Sequence, residues 1–316
     1  MKHTRHHPVS KLYLLIVLAP VILQAQRSGP GASTRVEEVR LSFSATDARG
    51  RPVTGLTAND IRVADAGELV ANILSFHAYN DLPLRLGLVI DVSDSAESDV
   101  DAERDAVGRF LEQAVRPDSD RGFVAAFGER VQRMQEITSR PWLSALPPAS
   151  VGDLTALYDA LYGCVEDLQA LDDRSEPTRR ALVVLSDGQD NLSHLTVKNV
   201  IELAQRTDTA IYAIHVQRNR NRRSRGDPVL RALADTTGGL AFFPADSAQM
   251  QDALAAIDRD LRAQYLVSFK PERLQRDGRF HSLQVVAAPN QTIRTRSRRG
   301  YYEPDDRNLV ATGSGR

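Results

Sequence analysis

From Val36 to about Asn80, apolar and polar positions alternate in short runs: VRLSFSATD, VTGL, DIRVADAG and LVANILSFHAY. Turn residues separate them, the clearest being Ala48-Arg49-Gly50-Arg51-Pro52. Alternation bounded by Gly, Pro and Asp predicts antiparallel strands and hairpins. At Leu84 the rhythm changes. Leu86-Gly87-Leu88-Val89-Ile90 is an almost unbroken apolar run, as expected of a strand buried on both faces. Val107, Phe110, Leu111 and Ala114 follow at helical spacing. Residues 123–127 and, more weakly, 131–137 read as strands. Leu157, Leu161, Cys164, Val165 and Leu168 share one helix face, and 181–185 is another buried strand. Val197, Val200, Ile201 and Ala204 mark a helix, and 210–216 a strand. Asp227 is expected as the N-cap before Pro228 of a helix closing at Gly238-Gly239. Residues 240–243 form the last strand of the block, and Ser247 is expected to cap a helix facing inward through Met250, Leu254, Ile257 and Leu261.

Strands alternating with helices over 84–262 predict an α/β fold: a doubly wound, mostly parallel, Rossmann-like sheet covered on both faces. Alternation of period two then returns at 265–269, 280–287 and 293–302, with a turn at Asp277-Gly278. The β segments 36–83 and 263–303 are expected to pair into one small β module, because neither alone has enough strands to bury a core. Residues 304–316 are a polar Gly/Ser tail expected to be disordered.

The first 25 residues stand apart. Lys2, Arg5 and three histidines precede an apolar stretch at 12–23, which closes on Gln24-Ala25-Gln26. A basic start, a short apolar core and a small residue at the cut predict a secretory signal cleaved after Ala25. An uncleaved N-terminal anchor is the alternative. The core is short for a membrane span, Pro20 interrupts it, and no later stretch approaches spanning length. Residues 26–35 read as a polar linker. The mature chain is thus expected to be exported, periplasmic or extracellular, with no membrane span.

Composition narrows the function. The chain has 316 residues, a soft prior of about two domains, and a net charge of -1. Near-neutral charge argues against a globally basic nucleic-acid binder. The single cysteine, Cys164, excludes an intrachain disulfide framework and a Cys-cluster zinc site, and its place in an apolar helical pattern predicts a buried, inert thiol. Arg218, Arg220, Arg222, Arg223 and Arg225 crowd the segment after 210–216. No aromatic residues are interleaved with them, as single-stranded nucleic-acid binding would require. Arg225-Gly226-Asp227 matches a short adhesion tripeptide, too brief to weigh. His77, His194, His215 and His281 show no metal-ligand spacing, and there is no phosphate-binding Gly-rich loop or internal repeat.

In open α/β sheets, ligands bind at the carboxyl ends of the strands. The first buried strand ends in Asp91-Val92-Ser93-Asp94-Ser95, and the strand ALVVLS ends in Asp187-Gly188-Gln189-Asp190-Asn191. Between them, Gly152-Asp153-Leu154-Thr155 leads into the helix ALYDALYGCV. Asp91, Ser93, Ser95, Thr155 and Asp187 therefore come from three loops on one rim. Two carboxylates and three hydroxyls are hard oxygen donors suited to Mg²⁺, with Mn²⁺ or Ca²⁺ as alternatives. The competing use of these residues is local: Ser93 and Thr155 as helix caps, Asp187 as a turn former.

At DVSDS, DLTALYDAL and VVLSDGQDN the sequence resembles the von Willebrand factor type A domain and its metal-ion-dependent adhesion site. The resemblance covers about 84–262. The flanking RGRPVTGLTANDIRV, LRALADTTGGLAFFP, LRAQYLVSFKPERLQRDGRFHSLQVV and RSRRGYYEP extend it to about 36–304, where the chain is similar to proteins of this type common in acidobacteria. The resemblance implies that Ser93, Ser95 and Thr155 contact the metal, with Asp91 and Asp187 binding directly or through water. Where the family often has Gly between the serines and Met after the second, this chain has Asp94 and Ala96.

The function so implied is that of an exported, non-catalytic protein that recognises a protein partner through the cation, the partner offering a carboxylate. Two alternatives remain. One is a metal-dependent phosphoryl-transfer enzyme with Asp91 as nucleophile, but such enzymes usually carry a second acid two residues on, where this chain has Ser93, and a positioned lysine. The other is a structural envelope component with a vestigial site.

Overall fold

The computed structural model describes residues 38–78, 82–93, 100–136, 154–172, 176–216, 225–272, 276–289 and 291–304. The expected signal segment, the linker and nearly all of the C-terminal tail lie outside the described residues, as do Ser95 and most of the arginine-rich segment. Among the described residues no helix is long and apolar enough to cross a membrane.

The alternating N-terminal runs form β1 (Val39–Thr46), β2 (Ile61–Asp65), β3 (Glu68–Leu69) and β4 (Ile73–Ala78). The α/β block follows as β5 (Leu84–Asp91), α1 (Val100–Ala114), β6 (Arg121–Phe127), β7 (Val131–Glu136), α2 (Leu157–Ala170), β8 (Arg179–Ser186), α3 (Val197–Arg206), β9 (Thr209–His215), α4 (Asp227–Thr237), β10 (Ala241–Phe242) and α5 (Ser247–Arg262). The chain closes with β11 (Gln264–Phe269), β12 (Phe280–Ala287), β13 (Arg294–Ser297) and β14 (Gly300–Tyr302).

The central sheet has the order β10-β9-β8-β5-β6-β7. Five strands are parallel, and β7 is an antiparallel edge folded back from β6. Counted from β5, this is the doubly wound Rossmann order, in which the winding reverses between the first and fourth strands, here β5 and β8. Alternate residues of the buried strands face opposite layers. Leu84, Leu86 and Leu88 pack with Val107 and Phe110 of α1 and Leu254 and Ile257 of α5. Val89, Phe123 and Val184 pack with Leu157 and Leu161 of α2, Val200 of α3 and Leu233 of α4. Gly87 makes room in that second layer: a Cβ there would lie 2.7 Å from Leu182 Cδ1 and 3.1 Å from the Phe123 ring. Cys164 is buried in the same layer, as its pattern predicts.

The two terminal β segments do form one module, built of two antiparallel sheets. One has the order β13-β1-β11-β4 and the other β14-β12-β2-β3, so each takes strands from both ends of the chain. Val39 pairs with Phe269, and Val63 with Val285. Leu41, Phe43, Tyr265 and Val267 of the first sheet share a core with Ile61, Val63, Leu283 and Val285 of the second. The Phe43 and Tyr265 rings stack at 5.4 Å between centroids.

Four local expectations need correction. VTGL forms no strand; it is held by the Thr46–Pro52 bridge and by Tyr265 Oη donating to Val53 O at 2.8 Å. The run 293–302 splits at Arg298-Arg299 into β13 and β14, which join different sheets. The α4 N-cap is Gly226 rather than Asp227, whose carboxylate is 3.0 Å from His215 Nδ1. Asp246, not Ser247, caps α5, accepting from Gln249 N at 2.8 Å.

Two arginines, the buried Arg298 and the half-buried Arg296, join the module to the α/β layer. Arg298 donates to Gln205 O and Arg40 O, and its Nε lies 3.1 Å from Asp208 Oδ1. Asp208 in turn accepts from Ser42 N at 2.9 Å and Ser42 Oγ at 2.7 Å. Arg296 donates to Gly239 O at 2.8 Å and pairs with Asp260, which also accepts from Tyr212 Oη at 2.6 Å.

Candidate functional site

Asp91 and Ser186 end the two strands that flank the point where the winding reverses. Asp91 pairs with Phe127 of β6 on one side, and the neighbouring Ile90 pairs with Leu185 of β8 on the other. The Asp91 carboxylate is held from both sides. Ser93 N and Ser93 Oγ donate to Oδ1 at 3.1 and 2.7 Å, and Ser186 Oγ donates to Oδ2 at 2.7 Å. Ser186 Oγ also accepts from Gly188 N at 3.0 Å, so one hydroxyl links the β5 and β8 loops.

Asp187 makes the turn that was its alternative use, accepting from Gln189 N at 2.9 Å and Gln189 Nε2 at 2.7 Å. The capping alternative does not hold for Thr155. Helix α2 begins at Leu157 behind Ala156, whose side chain makes no cap. The β8 loop supplies the cap instead: Ser193 Oγ accepts from Tyr158 N at 3.0 Å and Asp159 N at 3.1 Å. Asp159 answers by accepting from His194 N at 3.0 Å and Leu195 N at 2.9 Å.

Thr155 is fixed in the same way. Its N donates to Asn191 Oδ1 at 2.8 Å, while its O accepts from Asn191 N at 3.1 Å and Leu192 N at 3.2 Å. Ala156 N donates to Gly128 O at 2.9 Å, and Val92 N donates to Phe127 O at 2.9 Å, which ties the loops to the end of β6. Four of the five residues singled out from sequence are thus placed on interlocked loops of one rim; the fifth, Ser95, lies outside the described residues.

All four are buried despite lying at loop ends: Asp91, Ser93, Thr155 and Asp187 are 4%, 1%, 4% and 0% exposed. Burial pushes the Asp91 carboxyl above its ordinary range, the donations from Ser93 and Ser186 oppose this, and the charge of Asp187 adds to it. The nearby Asp187 charge raises the cost of charging Asp91, a cost that a cation beside them would remove. The donor chemistry fits a hard cation. Ser93 Oγ gives its proton to Asp91 and keeps lone pairs for a second contact. Among the described residues no group of three or more His, Cys, Asp and Glu side chains could hold a metal, so any cation here depends on the hydroxyls as well as the two acids.

Ser186, Asn191, Ser193 and Gly226 are among the contributors not singled out from sequence. Ser186 and Asn191 flank Asp187 in LSDGQDN, and their polarity at a strand end was the available signal. Gly226 had no such signal. Gly188 has φ +75°, and a Cβ on Gly226 would lie 2.2 Å from Asp187 O, so the end of the arginine-rich segment is packed on the Asp187-Gly188 backbone. The scattered histidines take other partners: His215 faces Asp227, and His281 lies between Asp65 and Glu303.

No family model matches the sequence, and no curated protein matches it. Solved structures do. Manganese-loaded Plasmodium vivax TRAP protein is 15% identical over 75% of this chain and 97% of its own, with a TM-score of 0.44. The proximal thread matrix protein 1 of the mussel byssus, with a zinc-occupied MIDAS motif, is 15% identical over 62% of this chain, with a TM-score of 0.48; the match spans 50% of the mussel protein. The SpRpn10 VWA domain is 18% identical over 54% of this chain and 93% of its own, with a TM-score of 0.39. At these identities the likeness concerns the fold. The strand order and layering of residues 84–262 are those of a doubly wound, Rossmann-like α/β fold.

Proposed function

We propose that this chain is an exported, non-catalytic binding protein that recognises a protein partner through a divalent cation held by Asp91, Ser93, Ser95, Thr155 and Asp187. The observation that carries the reading is the burial of Asp91 and Asp187 at the reversal point of the sheet, beside the hydroxyl residues Ser93 and Thr155. Mg²⁺ bound to so few charges, with Mn²⁺ or Ca²⁺ as alternatives, would stay electron-poor and accept an external carboxylate. Ser93 and Ser186 orient the Asp91 carboxylate, and Asn191 holds the Thr155 backbone. Both Asp91 oxygens accept hydrogen bonds within a buried setting, which suits a ligand or an orienting group better than an attacking nucleophile. The basic and apolar start of the sequence supports export.

Arg225, exposed beside the Gly226 that packs on the Asp187 backbone, adds its positive charge to that of a cation and favours an acidic partner. Pull-down from an envelope extract tests the reading. A partner retained in Mg²⁺ and released by EDTA is expected; a partner retained equally in both, or none in Mg²⁺, contradicts it.

A further inference from the structure

A cavity of about 680 Å³ opens on the β module, beside the β2–β3 hairpin and the start of β12. Its walls carry both signs of charge, with Asp65, Glu68 and Glu272 facing it alongside Arg279 and His281. Leu69 and Phe280 add apolar surface and are 62% and 45% exposed. The cavity is no part of the acid-bearing rim, because β2, β3 and β12 belong to a different sheet from β5 and β8.

The Phe280 ring is held in place from one side. It meets the Tyr302 ring at 5.1 Å between centroids, and a Cβ on Gly300 would lie 2.3 Å from its Cζ. Register explains both contacts, since Phe280 pairs with Tyr302 and Ser282 with Gly300. The polar lining is fixed as well. His281 stands between two acids, with Nε2 3.0 Å from Glu303 Oε1 and Nδ1 3.4 Å from Asp65 Oδ1. Tyr301 Oη donates to Asp65 Oδ2 at 3.0 Å, and Arg279 Nε lies 2.8 Å from Asp277 Oδ2. Asp65 Oδ1 is buried and accepts no hydrogen bond from the described residues. Buried oxygens ordinarily have a donor, and a ligand hydroxyl would supply one.

The lining narrows the ligand class. A cation would meet Arg279 and His281, and an anion would meet Asp65, Glu68 and Glu272. A neutral polyhydroxylated ligand suits both sets, because each hydroxyl can donate to a carboxylate and accept from an arginine. The exposed ring offers a flat apolar face to the C–H side of a sugar. Strand β3 has two residues, too short an edge to hold an added peptide strand. We propose that this cavity binds a neutral saccharide, with one sugar ring stacked on Phe280 and its hydroxyls bonded by Asp65, Glu68 and Arg279. The site goes beyond the cation reading and does not depend on it.

Arrays of defined oligosaccharides, some neutral, some bearing uronic acids and some bearing amino sugars, test this with the full chain in EDTA. Neutral glycans should be retained. In calorimetry the best-retained glycan should bind Phe280→Ala about tenfold more weakly, the loss of a stacked ring, and Glu68→Gln more weakly than the parent. Both residues are exposed, so the melting transition should persist in each variant. Adding Mg²⁺ should leave the affinity unchanged. Retention of charged glycans alone, equal binding by both variants, or no retained glycan overturns the saccharide site and leaves the cation site standing. Glycan binding that needs Mg²⁺ also overturns it, by moving the sugar to the acid-bearing rim.

Discussion

The α/β layer and the β module solve the burial problem over different distances in the sequence. In the layer, β5, α1 and β6 follow one another in sequence and pack together, as do β8, α3 and β9. In the module, β1 pairs with β11 and β2 with β12, partners from opposite ends of the chain. The difference extends to the polar groups. At one rim of the layer the buried Asp91, Ser93, Thr155 and Asp187 are held by loop hydrogen bonds, while Arg85, Asp120 and Arg179 are buried at the opposite strand ends. At the junction with the module, Arg296 and the buried Arg298 meet Asp260 and Asp208. A neighbouring pair of buried acids at a rim invites a cation, whereas acids facing arginines are already compensated.

The sharpest way to break the comparison is to divide the chain. Residues 36–83 expressed alone should show no cooperative thermal transition, since β1 and β2 would lack β11 and β12. Residues 84–262 should keep one. A cooperative melt of the N-terminal segment would count against non-local pairing as the source of its order.

Arg298→Ala attacks the junction directly. Removing Arg298 leaves Asp208 with only its Ser42 donors and the Gln205 and Arg40 carbonyls without their partner, and costs about 1–3 kcal/mol. Denaturant unfolding at fixed protein concentration should show that loss. A change below about 0.5 kcal/mol, ordinary for surface substitutions, would mean the junction arginine is dispensable.

Asn191→Ala should act on the rim with little effect on stability. Groups that orient a ligand commonly affect metal affinity by about 10–100-fold. Asn191 and Thr155 exchange hydrogen bonds, so Asn191→Ala and Thr155→Ala should be non-additive in a double-mutant cycle of cation affinity. Additive losses would separate Asn191 from Thr155.

These contrasts also mark what the sequence made legible. The buried runs LGLVI and ALVVLS showed the parallel strands, and the acids and hydroxyls at their ends could be named because the strand-end position narrows the choice. The pairing of the terminal segments followed from their shortage of partners. Their division into two sheets did not, because a break at Arg298-Arg299 depends on contacts with Gln205 and Asp208 far away in the chain. Ser186 and Asn191 escaped for a related reason: a serine or asparagine beside an aspartate looks like an ordinary turn until its partner is seen. Gly226 lies under Asp187 only because α4 returns to the rim.

The smallest effect belongs to the arginine-rich segment. Exposed ion pairs contribute about 0–1 kcal/mol each and are screened by salt. Replacing Arg218, Arg220, Arg222, Arg223 and Arg225 by Ser should slow association with an acidic partner and flatten its salt dependence, leaving dissociation nearly unchanged. An unaltered on-rate and salt slope in stopped-flow measurements would remove the segment from recognition.

The central claim is that Asp91 and Asp187 hold a cation together with Ser93, Ser95 and Thr155. Isothermal titration of Mg²⁺ and Mn²⁺ into the chain and its Asp187→Ala variant tests it most directly. One site per chain is expected, with affinity lost in the variant while its circular dichroism and melting transition persist, because Asp187 lies in a loop beyond β8. Unchanged metal affinity in Asp187→Ala would contradict the account.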